Sequence, residues 1–324
     1  MRLCIIPYTV IEKALDEEKT TVTDQRYCNT CFHKPAEIAA ALPNIEYKPP
    51  DSVQPWVLLE PWLDLIASSR NIIEDDIHRI KLPGSHLTVL VTAQALGIRM
   101  GRINASYAED LEETFPKTTT NGINIAELLQ NRRCFVRLNT CSLKDAIAGG
   151  TGPVTSVEQL WTQLATSPRA HNGITSMRAY DMSAPIYLYL FPWDDDLRTE
   201  LEYRVFCPPG AERIAAISQY KWHGRWYHAD KSLDEQQKVA EGVLEGAETL
   251  HRQMLEHPAM TDVLRSAGYT FDVAEYVDGA EGVRLIELND FGALSGCGSC
   301  LFQWVRDAQV VYGLRAEVEL RVTV

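Results

Sequence analysis

The sequence predicts an α+β protein, and three observations predict it. First, six segments alternate apolar with polar residues and are rich in aromatic or β-branched types, so they read as strands: residues 134–139, 184–191, 200–207, 213–222, 269–277 and 282–290. Second, two helical patterns interrupt them, each opening on a serine with a Gln or Glu three positions on. These are Ser156 with Gln159 and Ser232 with Glu235, the spacing of a capping box. Third, most of the strands follow one another with no helix between, which predicts a mostly antiparallel sheet with one long helix, over residues 232–257.

The first 130 residues read differently. Residues 55–80 have apolar spacing near 3.6 and are expected to form one or two helices. Residues 86–101 fit either a strand followed by a turn or a buried helix, and residues 121–131 fit a short helix. We therefore divide the chain into a mixed N-terminal lobe (1–130), a possible substrate or partner region, and a remainder (131–324) that carries the chemistry.

Composition narrows the function. With 324 residues, 45% of them hydrophobic and 23% charged, the chain is long enough for a large core and two or three lobes. The net charge of -13 excludes a general electrostatic footprint on nucleic acid, so a polyanion would need a local pocket of Arg, Lys or metal. Apolar runs such as "PIYLYLF" are too short to cross a bilayer, so no membrane is expected. The N-terminus lacks a long apolar core ending in a small-residue cleavage site, so no secretory signal is expected. The eight cysteines then read as reduced thiols in the cytoplasm.

Asp272, Glu287 and Asn289 are the first candidates for chemistry. Glu287 and Asn289 are two apart on one strand and project from one face; Asp272 lies on the preceding strand. If the strands pair, two carboxylates and an amide cluster there. Hard oxygen ligands of this kind suit Mg2+, and the like charges would repel without a cation between them. The alternative is a polar strand face that merely meets solvent. A second, basic set comprises Arg137, Lys144, Arg204 and Lys221, which could cradle a triphosphate. Each taken alone also reads as a snorkelling surface cation.

The pieces "FVRLNTCSLKDA", "ELEYRVFC", "AAISQY", "FDVAEY", "RLIELNDFG" and "LFQW" occur in an order that resembles the cell division cycle protein 123 family, over residues 130–308. That family is a divergent branch of the ATP-grasp fold, so the resemblance implies two lobes with ATP sandwiched between them and Mg2+ held by Asp272, Glu287 and Asn289. It implies cofactor-binding roles for Arg137, Asn139, Lys144, Asp145, Trp193 and Arg204, Trp193 falling near the hinge for adenine. Arg204 and Lys221 are the catalytic candidates. Arg137 stands where the family has Lys, and Glu287 where it has Asp, which makes the metal set the one found in ATP-grasp ligases. A Gly- and Cys-containing stretch, "GALSGCGSC", stands where the family is more acidic.

Two functions from different classes follow. One is an ATP- and Mg-dependent ligase that joins a carboxylate to an amine through an acyl phosphate, and it is the leading expectation because the metal set is enzyme-like. The other is the family's role: an ATP-binding assembly chaperone for eukaryotic translation initiation factor 2, bound through its gamma subunit, without small-molecule turnover. Two C-x2-C pairs, Cys28 with Cys31 and Cys297 with Cys300, have zinc-ligand spacing but lie far apart in the chain, so unconnected thiols are the expectation. "GGTGP" (149–153) lacks the G-K-[ST] ending of a phosphate loop and reads as a turn.

Overall fold

The computed structural model describes residues 1–20, 36, 39, 40, 58–148, 152–210, 212–277, 282–293 and 298–324. Its strands are β1 (Arg2–Ile6), β2 (His78–Lys81), β3 (Cys134–Leu138), β4 (Tyr187–Pro192), β5 (Glu202–Cys207), β6 (Ala216–Gln219), β7 (Tyr269–Tyr276), β8 (Gly282–Asp290) and β9 (Glu319–Thr323). They form a six-stranded sheet in the order β1-β9-β6-β5-β7-β8 and a three-stranded sheet in the order β2-β4-β3. The chain divides into two compact units: Met1–Val57 with Pro61–Arg70 and Asp195–Val324, and Leu58–Glu60 with Asn71–Asp194. A division after residue 130 would fall inside the second unit, one residue before the end of the helix Ile125–Asn131.

The six-stranded sheet belongs to the first unit and is mixed, with three antiparallel pairings and two parallel ones. β6, β5, β7 and β8 pair antiparallel, as strand alternation leads one to expect. β1 pairs parallel with β9, and β9 parallel with β6. Both parallel pairs involve β9, and β1 and β9 lie near the chain ends, where the sequence pattern does not single out strands.

One face of this sheet is apolar: Tyr203, Val205, Ile217, Phe271, Val273 and Leu288 are buried at alternate positions. The helix Leu233–Glu256 covers part of that face. It opens on the expected capping box of Ser232 and Glu235, and its buried residues Ala240, Val243, Ala247, Leu250 and Met254 recur every three or four positions. The ring of His251 stacks on Phe271, and a Cβ at Gly246 would lie 2.3 Å from Cγ2 of Val283 on β8, so helix and strand meet closely. The free edge of β8 is blunted where the Leu285 N–H donates to Oγ of Ser69, from the helix Leu63–Ser69.

The second unit places helices Gly84–Met100, Ala105–Thr114, Ile125–Asn131, Val157–Thr166 and Pro168–Tyr180 with the antiparallel β2-β4-β3 sheet. Residues 86–101 adopt the helical alternative, as part of Gly84–Met100. Residues 55–80 are only partly helical, with residues 55–57 outside the described set. After the short helix Leu63–Ser69 the chain makes β2, where His78 and Ile80 are buried and Arg79 and Lys81 exposed. A four-residue strand is too short for its period to overrule the helical pattern before it.

Candidate functional site

Strand register builds the site. Arg204 on β5 pairs with Asp272 on β7, and Asp272 pairs with Glu287 on β8, so the three side chains form one row on one face of the sheet. Asn289 shares that face, two positions beyond Glu287. The register slips between Asp272 and Val273, since Val273 pairs with Leu285 and Ile286 is left over. This bulge lies beside the Asp272–Glu287 pair and re-aims the strand there.

The row is nearly dry: Arg204 is 5% exposed, Asp272 1% and Glu287 6%. The Arg204 guanidinium grips Asp272 side-on, with Nε donating to Oδ1 and Nη2 to Oδ2, each at 2.8 Å. Its Nη1 donates to the Gly298 carbonyl at 2.6 Å, and the ring of Tyr220 lies 5.1 Å from the guanidinium carbon. The Asn289 amide donates to Oδ2 of Asp272 at 3.3 Å. Burial, and then the charge of Asp272, push the Tyr220 phenol far above its usual range, so it stays protonated beside the carboxylates.

The structure thus brings together Asp272, Glu287, Asn289 and Arg204. Among the described residues, no cluster of three or more His, Cys, Asp or Glu is set to hold a metal ion. A cation here would rest on two carboxylates and one amide oxygen, a hard donor set that fits Mg2+. Lys221 is apart from this row: it lies just after β6 and its ammonium pairs with Glu200, whose carboxyl it holds below the usual range.

The remaining candidates lie in the second unit. Arg137 is buried on β3, its Nε donating to the Leu138 carbonyl at 3.3 Å. Asn139 braces the chain: its amide donates to the Pro185 carbonyl, its side-chain oxygen accepts from Tyr187 N–H, and its own carbonyl accepts from Leu59 N–H. Asp145 accepts from Ser167 Oγ at 2.6 Å and from Arg169 N–H at 2.8 Å, at the start of the helix Pro168–Tyr180. Lys144 is half-buried beside it. Trp193 follows β4; its N–H donates to the Arg133 carbonyl, and the Arg133 guanidinium carbon lies 5.8 Å from its ring.

Cys28, Cys31 and Cys297 lie outside the described residues, as does the start of "GGTGP", and Cys300 is buried with a φ of 52°. Sequence reasoning missed Tyr220 and Asp290, whose carboxyl burial raises to about 6. Tyr220 was within reach of a period-two reading, because it stands two positions beyond Ser218, the register partner of Arg204.

No family model and no curated protein matches this sequence. Among solved structures, Cdc123 from Schizosaccharomyces pombe superposes with a TM-score of 0.56 at 17% identity, over 86% of this chain and 100% of that one. A C-terminally truncated form of Cdc123 from Schizosaccharomyces pombe gives 0.55 at 16% identity, over 86% and 98%. These superpositions, at identities this low, show the fold alone: the chain has the fold of Cdc123.

Proposed function

We propose that this chain is a Cdc123-type, ATP- and Mg2+-binding assembly protein for translation initiation factor 2, engaging a subunit of that factor in the cytoplasm. The observation that carries the reading is the buried pair Asp272 and Glu287, with half-buried Asn289 on the same face and Arg204 gripping Asp272, on the sheet of a Cdc123 fold. Bound Mg2+ would supply charge neutralisation to nucleotide phosphate oxygens. In this reading Asp272 and Glu287 provide its anionic ligands, and Asn289 an amide oxygen. Burial raises the strength of each such contact, because little water competes for it.

Arg137, Asn139, Lys144, Asp145, Trp193 and Arg204 remain the proposed nucleotide contacts on an ATP-grasp plan, with residues 1–130 contributing to partner recognition. A second reading, a carboxylate–amine ligase in which Arg204 and Lys221 assist phosphoryl transfer, is favoured by one observation. The carboxylate opposite Asp272 is a glutamate, as in ligases of that fold.

Calorimetry with Mg·ATP, pull-down of the factor's gamma subunit and an ADP-release assay test both readings. The assembly reading expects ATP binding and capture of the subunit without turnover. ADP and phosphate released only when a carboxylate and an amine are both present would replace it with the ligase. Glu287→Gln is expected to weaken Mg·ATP binding tenfold or more, because a charged ligand becomes neutral, with little change in Tm. Unchanged affinity in that variant would remove the metal assignment.

A further inference from the structure

We propose that Arg204 is the resident counter-cation of the carboxylate row. It is a positioning residue that fixes Asp272 and offsets part of the row's negative charge, so the site stands assembled before any divalent cation arrives. This deepens the metal reading above and rests on it.

Geometry points to the role. Two carboxylates face each other across β7 and β8 with almost no water access. Such a pair is costly unless a cation stands close. Arg204 is in the same row, and its planar fork reaches both oxygens of Asp272 at once. A lysine, with donors radiating from one point, cannot make that side-on grip. A third arm reaches the Gly298 carbonyl and ties the segment after β8 to the same guanidinium.

Three of the five guanidinium N–H donors are therefore committed inside the protein. The fork is spent on Asp272, so the guanidinium acts on the row through that carboxylate. Asp272 is left partly open: each carboxylate oxygen has two acceptor directions, and Oδ1 gives only one to Arg204. The carboxylate is thereby oriented without being saturated.

The test compares the melting of wild type, Arg204→Met, Arg204→Lys and Arg204→Met/Asp272→Asn, in NaCl and in MgCl2 of equal ionic strength. Arg204→Met strands a buried carboxylate, so its Tm is expected to fall by ~5 °C or more. Arg204→Lys should recover only part of this loss. Neutralising the stranded group in the double variant should recover most of it. Mg2+ should raise the Tm of Arg204→Met more than that of wild type, since the ion takes over the missing charge. An arginine that served only as packing would show no such dependence on Mg2+.

The proposal is overturned if Arg204→Met melts with wild type, if Arg204→Lys is fully equivalent to wild type, or if Asp272→Asn gives no rescue. Should Arg204→Met not fold, a folded double variant supports the proposal and an unfolded one refutes it. Rescue by Asp272→Asn with no response to Mg2+ in any variant keeps the counter-cation and rejects the metal reading.

Discussion

The candidate residues of the two units differ in what they touch. On β5, β7 and β8 they touch one another: Arg204 meets Asp272, and Asn289 meets Asp272. On β3 and in the turns that follow it, they hold chain segments. Arg137 donates to a carbonyl, the Asn139 side chain bonds the backbone of Pro185 and Tyr187, and Asp145 accepts from Ser167 Oγ and the Arg169 N–H at the start of a helix. The first group is built like a ligand set, because its polar atoms converge. The second group is built like scaffolding, because its polar atoms hold chain segments that carry other groups.

Each unit also buries a neutral histidine, and these give the largest effect that separates the two. Burial lowers His251 in the first unit and His86 in the second from 6.5 to about 4. A depressed histidine contributes stability that is present above the unfolded value of 6.5 and lost as pH falls towards 4, because the unfolded chain takes up the proton first. Each is worth about 3 kcal/mol across that window. Nε2 of each ring is buried without a hydrogen-bond partner, but Nδ1 of His86 has Oγ1 of Thr114 at 3.0 Å, while His251 packs among aromatic rings. His251→Phe should therefore flatten the fall in urea midpoint between pH 6.5 and 4 at no cost at pH 7. His86→Phe should flatten it too, but at a cost of about 1 kcal/mol at pH 7 for the lost hydrogen bond. Identical pH profiles for wild type and His251→Phe would show that the folded ring takes up a proton as readily as the unfolded one.

A smaller effect compares how tightly each unit is packed. A Cβ at Gly97 would lie 2.4 Å from the backbone oxygen of Ala165, on the neighbouring helix, and one at Gly246 would lie 2.3 Å from a methyl of Val283. A backbone oxygen moves only with its helix, while a methyl can turn to another rotamer. Gly97→Ala is expected to cost about 2–3 kcal/mol and Gly246→Ala about 1 kcal/mol, each after the gain in helix propensity. Equal losses in chemical denaturation would mean that β8 is as rigid as the helix pair.

The same contrast explains what the sequence made legible. β5, β7 and β8 are alternating strands, so a period of two was enough to put Asp272, Glu287 and Asn289 on one face. The helix of Ser232 was legible as well, because its capping box lies in the local sequence, Ser232 with Glu235 three positions on. The grip of Arg204 on Asp272 was not legible, because it depends on which strands are neighbours, and register is a tertiary fact. The parallel pairing of β1 with β9 was hidden for a like reason: it joins two five-residue strands near opposite ends of the chain. Asp145 was read as a nucleotide contact from its motif position, while its hydrogen bonds run to Ser167 and Arg169, more than twenty residues on. No local pattern encodes that partnership.

Asp145 also gives the smallest effect and the sharpest test of the contrast between ligand set and scaffolding. Its two oxygens accept from Ser167 Oγ and Arg169 N–H, at the positive end of the helix Pro168–Tyr180, where a carboxylate is favoured. Asp145→Asn turns one acceptor into a donor and removes the charge. The expected cost is about 1 kcal/mol, the usual worth of a capping group. If Asp145 serves as scaffolding, Mg·ATP affinity measured by calorimetry should change far less than in Glu287→Gln, while the thermal midpoint falls by a degree or two. If instead the midpoint holds and affinity drops tenfold, Asp145 is a direct nucleotide contact. The division between the two groups would then fail at this residue, because a helix-capping carboxylate would also be binding ligand through its remaining acceptor directions.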